Sequence, residues 1–255
     1  MHSFPSATIL ASLDGGRRAA GEPAGRGGVV RECSADGSEC RIVYSRLSAD
    51  ADDVIQAEKA LAAARGYELE WKLYGHDTPS DLAERLLAAG FEADDQEQVM
   101  ALPLDAETLT AFDTTGYDVR RVVDAQGLAD YAEIAREIGR KRADEELQRL
   151  SATLRTAPES MSVHIAYVGS EPVAGGRLYF PAGGGFAELA GGRTKTTHRR
   201  RGLFTAVVGS RLAEAYARGR TLVVTDALPT SEPILGKRRF RAVVSTQPFI
   251  YGPVP

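Results

Sequence analysis

Phe186-Ala-Glu-Leu-Ala190, followed by Gly191-Gly-Arg-Thr-Lys195-Thr-Thr-His-Arg-Arg200-Arg-Gly-Leu-Phe204, is the stretch on which the reading of this chain turns. An apolar run with the pattern of a strand leads into a loop whose residues 193–202 hold five Lys/Arg residues and no acidic one. The loop opens into a helix. Leu203, Val207, Val208, Arg211, Leu212, Ala215 and Tyr216 recur at three- and four-residue spacings, which predicts one largely apolar face. Arg218 and Gly219 predict a cationic last turn and a left-handed stop, and Thr221-Leu-Val-Val-Thr225 reads as a buried strand. A helix N-terminus presents free backbone N–H groups and the positive end of the macrodipole. Gly202 lets a ligand approach that backbone closely, and arginines suit phosphate oxygens. A phosphate or pyrophosphate is the expected ligand.

Two other phosphate-binding patterns are missing. The chain has no Gly-x-x-x-x-Gly-Lys-Ser/Thr, and no Gly-x-Gly-x-x-Gly follows a strand; Gly183-Gly-Gly185 precedes one and reads as a hairpin turn. Composition fits a soluble globular protein, with 43% hydrophobic and 26% charged residues over 255 positions. The net charge of −4 makes the basic loop a local feature, so no nucleic-acid partner is expected. No apolar stretch has transmembrane length, and Met1 to Leu13 lacks the basic start and long apolar run of a signal peptide, so a cytoplasmic protein with no membrane partner is expected. Cys33 and Cys40 are expected as reduced thiols. With four histidines and no second ligand cluster beside His76-Asp77, no metal is expected.

Along the chain, 1–28 is expected as a flexible segment because Gly15 to Gly28 has little to bury. From Arg41 to Leu102 the pattern predicts strand, helix, strand, helix, strand, with helices Ala51–Arg65 and Asp81–Ala89 stopped by Gly66 and Gly90. Residues 105–116 read as a linker; Val119–Val123 starts another strand, Gly127–Gln148 supplies helices, and a hairpin turns at Gly169-Ser-Glu171. The expected class is α/β with a mixed sheet. The division is a unit over 29–104, the linker, and a second unit over 117–255 that carries the loop. The alternative is that 29–104 is an added αβ layer on a single core.

The loop and its flanks resemble the GNAT superfamily of acyl-CoA-dependent N-acyltransferases, whose cofactor loop runs Gln/Arg-x-x-Gly-x-Gly/Ala into a helix. Arg199, Gly202 and Phe204 take the marked places, with Phe204 replacing the usual small residue. Ala227 to Phe240 is similar to a later motif in which a short helix ends at Gly-Phe, with Arg239 standing where that glycine usually is. Gly191-Gly192-Arg193-Thr194 is similar to the strand that pairs with the pantetheine arm. Together these cover most of 117–252, and the earlier unit, with Trp71 to Asp77 and Ala89-Gly90-Phe91 but no arginine–glycine loop, resembles a degenerate copy. The resemblance implies acetyl-CoA as co-substrate, held by Gly192, Arg193, Thr194, Arg199, Arg200, Arg201, Gly202, Leu203, Phe204 and Thr205, with Ser231 either touching it or simply capping the short helix.

Acyl transfer to an amine sets a chemical requirement. A primary amine of pKa about 10.4 is protonated at neutral pH, and freeing it costs about 4.6 kcal/mol, so a nearby base helps. The resemblance implies that base is Glu188, eleven residues before Arg199, with the Gly192 N–H as oxyanion donor; the other reading of Glu188 is a solvent-facing or arginine-paired carboxylate. The tyrosine that often protonates the thiolate is replaced by Leu235, leaving Tyr216 or Tyr251 as substitutes, each better explained by packing. No pattern for a covalent acyl-enzyme is present, so direct transfer in a ternary complex to a small-molecule or protein amine is expected. Its acceptor pocket is expected from the Gly127–Arg155 helices, with Glu145 and Glu146, the Tyr179 region and Pro248–Tyr251. The competing function is a non-catalytic acyl-CoA-binding sensor or interaction module. A homodimer is compatible with either.

Overall fold

The computed structural model describes residues 6–23, 28–33, 37, 39–112, 114–181 and 185–252. Of the hairpin turn expected at 183–185, residues 183 and 184 lie outside them. The architecture is mixed α/β in two compact units, one formed by 101–225 with 237–240 and the other by the remaining described residues.

The N-terminal unit begins with a helix, α1 (Ser6–Ala19), and continues through β1 (Glu22–Pro23), β2 (Val29–Cys33), β3 (Glu39–Ser45), α2 (Ala51–Arg65), β4 (Glu68–Tyr74), α3 (Leu82–Ala88), β5 (Glu92–Ala93) and the first part of β6 (Glu97–Pro103). The helix corrects the expectation of a flexible start. Ile9 and Leu13, one turn apart, are buried, and Arg17 is buried with its guanidinium donating to both Asp77 oxygens at 2.8 Å. A glycine-rich composition hid an anchor that lies 60 residues away in sequence. Cys33 and Cys40 face each other across the β2–β3 ladder and form a disulfide, which corrects the reduced-thiol expectation. Helix α2 ends as its sequence predicts, with Gly66 in the left-handed conformation at φ 71° and its N–H on the Ala62 carbonyl.

The second unit holds α4 (Ala106–Thr110), β7 (Asp118–Arg121), α5 (Ala125–Glu137), α6 (Ala143–Thr156), β8 (Met161–Val168), β9 (Glu171–Tyr179), β10 (Phe186–Thr194), α7 (Leu203–Ala217) and most of β11 (Leu222–Ala227). The expected linker therefore contains a helical turn, capped by the Asp105 carboxylate on the Thr108 N–H at 2.7 Å. The strand order is β11-β10-β9-β8-β7, with β10–β11 parallel and the others antiparallel. Tyr131, Ile134 and Leu150 of α5 and α6 pack on Met161, Val163 and Ile165, while Leu203 and Val207 of α7 pack on Ala166, Val173 and Ala174. Two packed layers thus hold α7 by its apolar stripe. Tyr216, assigned to that stripe, is instead 43% exposed.

The last elements, α8 (Glu232–Gly236) and β12 (Arg241–Tyr251), do not follow the expected boundary. Both belong to the N-terminal unit, where β12 pairs antiparallel with β4 from Thr246↔Tyr74 to Tyr251↔Leu69. Phe249 of β12 stands opposite Trp71, and the two join Ile42, Ile55, Leu69, Leu82 and Leu86 in one buried cluster. Fully burying side chains of this size stabilises by about 1.5–3 kcal/mol each, which is why the C-terminal strand stays with this core.

The units are internally alike. In each, an antiparallel pair (β2–β3, β9–β10) leads through a loop and a 15-residue helix (α2, α7) to a strand parallel to the previous one (β4, β11).

Candidate functional site

Parallel pairing of β10 with β11 covers Phe186↔Leu222 to Leu189↔Thr225, and the Thr225 hydroxyl closes it with a 2.8 Å bond to the Leu189 carbonyl. Beyond that point β10 is bulged between Ala190 and Arg193, with Gly191 at φ +57°. A bulge re-aims backbone groups and bends the strand away from its neighbour. Here it is clamped from two elements. Tyr131 of α5 donates its hydroxyl to the Gly191 carbonyl at 2.7 Å, and Arg211 of α7 donates to the Ala190 carbonyl at 3.3 Å and the Arg177 carbonyl at 2.8 Å. A β-carbon at Gly191 would meet the Tyr131 hydroxyl at 2.5 Å, so this position requires glycine for space as well as for φ.

Arg211 is fully buried and, among the described residues, enters no ion pair. Burial pulls its pKa down to about 10, against the opposing influence of Tyr131, so it stays charged at neutral pH. Gly176 makes room for it, since a β-carbon there would stand 2.5 Å from the guanidinium carbon. The chain thus keeps a positive charge directly under the bulge. An arginine within an apolar helical stripe was the sequence signal for it.

The five cations of the loop divide into two groups. Arg193 is buried, bidentate to Glu146 at 2.8 Å for each bond, and stacked 4.2 Å from the Tyr131 ring centre. Lys195 is also buried, with Nζ 2.8, 2.9 and 3.1 Å from Glu133, Glu137 and Glu171. Burial alone would lower its pKa, but the three carboxylates raise it instead. These two side chains fasten the loop to α5, α6 and the start of β9. Arg199, Arg200 and Arg201 are exposed and, among the described residues, enter no ion pair. His198 turns toward Glu171 at 3.9 Å.

Gly202, at φ +78°, precedes α7 as its N-cap with no side-chain cap, and its carbonyl accepts from the Ala206 N–H at 2.9 Å. The amides of Leu203, Phe204 and Thr205 therefore stand at an uncapped, dipole-positive end beside three exposed guanidiniums. Arg200 adds a second left-handed residue at φ +62°, uncommon for a side chain of its size. Tyr117, which the sequence did not single out, covers Gly202: its hydroxyl donates to the Arg201 carbonyl at 3.1 Å.

Glu188 is half-buried on β10, opposite Tyr179 of β9 and Val224 of β11, and within the electrostatic reach of Arg177. Arg177 in turn pairs with Glu146 at 2.9 Å. Glu146, expected in the acceptor pocket, is thus engaged by two arginines, while Glu145 stays exposed. Thr194 ends β10 half-buried. Gly192 is exposed, with the Phe204 ring against it. Ser231 belongs to the N-terminal unit, and its hydroxyl donates back to the Leu228 carbonyl at 3.1 Å. Leu235 and Tyr251 also belong there, Tyr251 packing on Phe91. Tyr216 lies at the far end of α7, about 20 Å from Gly202 at 1.5 Å per residue. Arg239 keeps the left-handed conformation of the glycine it stands for, at φ +71°.

The corresponding place in the N-terminal unit is closed. Helix α2 follows Asp50 at its N-cap and carries Asp52 and Asp53 in its first turn, which repels an anion. Past Ile42↔Trp71, where β3 and β4 cease to pair, Arg46 bridges to Thr78 and Ser45 bonds Asp77, itself held by Arg17. His76-Asp77 is part of this staple. Among the described residues no cluster suited to a metal occurs, and no helix is long and apolar enough to cross a membrane.

No family model and no curated protein matches the chain by sequence. Solved structures do match by shape. A GCN5-related N-acetyltransferase from Kribbella flavida aligns over 98% of this chain and 96% of its own, with a TM-score of 0.68 at 17% identity. A functionally unknown conserved protein from Staphylococcus epidermidis covers 86% of both chains with a TM-score of 0.66 at 13% identity. A tandem GNAT protein from the clavulanic acid biosynthesis pathway covers 86% of this chain and 77% of its own, with a TM-score of 0.57 at 13% identity. The fold is that of the GNAT acetyltransferases in its two-unit form.

Proposed function

We propose that the second unit is an N-acyltransferase that moves an acetyl group from acetyl-CoA to an amine. The observation that carries this reading is the pairing of an uncapped α7 N-terminus, flanked by three exposed arginines that enter no ion pair among the described residues, with a bulged β10 whose pairing to β11 ends at Leu189. The first suits a pyrophosphate. The second leaves backbone along 190–194 to pair with an extended arm, and the loop between them is anchored by Arg193 and Lys195.

Acetyl-CoA supplies the acyl group as a thioester, from which the amine nitrogen takes the carbonyl carbon while the thiolate departs. On the protein side, Glu188 accepts the proton that the amine gives up, and the Gly192 N–H faces the carbonyl oxygen. Arg211, charged and buried beneath the same bulge, holds the Ala190 carbonyl and so the direction of the amides that follow. Arg199, Arg200 and Arg201 and the amides of Leu203, Phe204 and Thr205 take the pyrophosphate, with the Thr194 and Arg193 backbone along the arm. The acceptor is a small-molecule or protein amine approaching the side of the sheet where Glu188, Tyr179 and Arg177 lie. The N-terminal unit, with its closed crevice, does not bind the co-substrate.

The test is calorimetric titration of acetyl-CoA and CoA into the wild type and Glu188→Gln, with free-thiol release over an amine panel. Unchanged binding with turnover at least about tenfold lower in Glu188→Gln supports the assignment. Equal turnover removes Glu188 from the mechanism. Binding without turnover on any amine would favour a sensor, and no binding ends the reading.

A further inference from the structure

In the second unit β10 and β11 cease to pair after Leu189↔Thr225, and the next residue, Ala190, gives its carbonyl to Arg211. The N-terminal unit repeats this arrangement. There β3 and β4 cease to pair after Ile42↔Trp71, and the carbonyl of the next residue, Val43, accepts from Nε of Arg17 at 2.8 Å. Arg211 belongs to the helix that follows β10, whereas Arg17 comes from α1, which lies outside the repeated pattern of strands and helix. The crevice of the N-terminal unit is therefore filled by a side chain from an added element.

Arg17 sits there as a bound guanidinium would. Its Nη2 donates to both Asp77 oxygens at 2.8 Å, and its guanidinium carbon lies 3.8 Å from the Tyr74 ring centre and 5.1 Å from that of Tyr44. The cage does not depend on α1. The Ser45 hydroxyl and the Tyr74 N–H donate to Asp77 at 3.2 and 3.0 Å, and both tyrosines are buried. Burial pushes the Asp77 carboxyl up, so with Arg17 withdrawn it needs another cation or a proton. The helix that delivers Arg17 is weak by sequence: Gly15 and Gly16 stand inside its 14 residues, and only proline is a poorer helix former than glycine. Besides Arg17, only Ile9 and Leu13 among its side chains are buried.

We propose that this crevice is a guanidinium-binding site and that α1 is its built-in occupant, displaced when a small guanidino compound competes with Arg17 for Asp77 and the tyrosine cage. A planar guanidinium bonds a carboxylate and stacks on a ring at once, which suits this cage better than an ammonium does. Asp14, which accepts from Nη1 of Arg17 at 2.8 Å, is itself on α1 and leaves with it. Of the two carboxylates on Arg17, only Asp77 then remains for the incoming cation.

The probe is agmatine, with 1,4-diaminobutane as its ammonium counterpart and sodium chloride at matched ionic strength as controls. Calorimetry measures binding to the wild type, to Arg17→Ala and to Arg17→Ala combined with Asp77→Asn; hydrogen exchange follows the α1 amides of the wild type. Agmatine is expected to bind Arg17→Ala at least about tenfold more tightly than the wild type, which has to release its own arginine first, and at least about tenfold more tightly than the diamine. Adding Asp77→Asn removes that binding. In the wild type, agmatine is expected to raise α1 exchange by about threefold or more, and sodium chloride is not. A folded Arg17→Ala protein that ignores agmatine, binds the diamine equally or keeps its affinity after Asp77→Asn overturns the proposal, as does wild-type α1 exchange that agmatine leaves unchanged. If Arg17→Ala does not fold, the wild-type exchange decides alone. None of these readouts involves CoA, so they stand apart from the acyltransferase reading.

Discussion

Gly202→Ala is the sharpest probe of the anion loop, because two separable costs meet at one atom. The residue sits at φ +78°, where an L side chain loses about 1–2 kcal/mol. Its β-carbon would also stand 2.1 Å from the Tyr117 hydroxyl and 3.0 Å from Cζ, so the phenol has to leave. Tyr117 is 37% exposed and can swing outward, but its hydrogen bond to the Arg201 carbonyl is then lost, at about 0.5–1.5 kcal/mol. The expected total is about 1.5–3.5 kcal/mol. In a Tyr117→Ala background only the backbone term remains, so the double-mutant cycle should show a coupling of about 0.5–1.5 kcal/mol. Hydrogen exchange of the first-turn amides of α7 gives the local free energy directly, which matters because the two units need not unfold together. CoA affinity should fall in parallel in both backgrounds. Equal costs with and without Tyr117 would refute the placement of the phenol over Gly202, and a neutral Gly202→Ala would refute the left-handed loop itself.

Lys195→Met leaves Glu133, Glu137 and Glu171 facing one another without their common cation. The three carboxylates are about half exposed, so the loss is expected near 1–3 kcal/mol and should shrink with added salt; a melting difference that ignores salt would contradict the cluster. Arg211→Lys loses the planar donors that reach the Val207, Arg177 and Ala190 carbonyls, and is expected to cost about 1.5–3 kcal/mol and to lower turnover more than CoA binding, read as a kcat against KM split. Acid stability should depend on Glu214 of α7. Burial alone would raise its pKa, but hydrogen bonds from His164 and Ser162 and the charges of His164 and Arg121 bring it from 4.5 to about 2. A lowered carboxylate stabilises fully above the unfolded value, so its contribution is complete above pH 4.5 and disappears as pH falls toward about 2. Glu214→Gln should flatten the stability curve across that window, and parallel wild-type and variant curves would show that the network does not carry it.

How far the sequence could be read depended on the range of the interactions involved. Helix α2 was legible at both ends because its stop is local, a glycine at 66 free to take φ 71°. The strand, basic loop and start of α7 were legible for the same reason. The end of that helix face at Tyr216 was not, since exposure there depends on what packs opposite. Helix α1 was missed because its anchor, Asp77, is 60 residues from Arg17. The Cys33–Cys40 disulfide follows from a β2–β3 register that no spacing rule gives. The placement of β12 depends on its ladder with β4, between Thr246 and Tyr74 at one end.

The loop shows the same division inside one motif. Counting charge over 193–202 treats five cations alike. The partners that distinguish them, Glu133, Glu137, Glu146 and Glu171, lie on other elements, and once these are seen Arg193 and Lys195 become fasteners of the loop. An unsatisfied charge invites a ligand, whereas a satisfied one fixes a shape. The anion reading therefore rests on Arg199 to Arg201 and the α7 amides, and the precision of the site rests on Arg193 and Lys195, which the charge count does not set apart. Charge-neutral variants of the two groups should consequently fail in different ways: loss of Arg199 or Arg201 in affinity and its salt dependence, loss of Arg193 or Lys195 in folding.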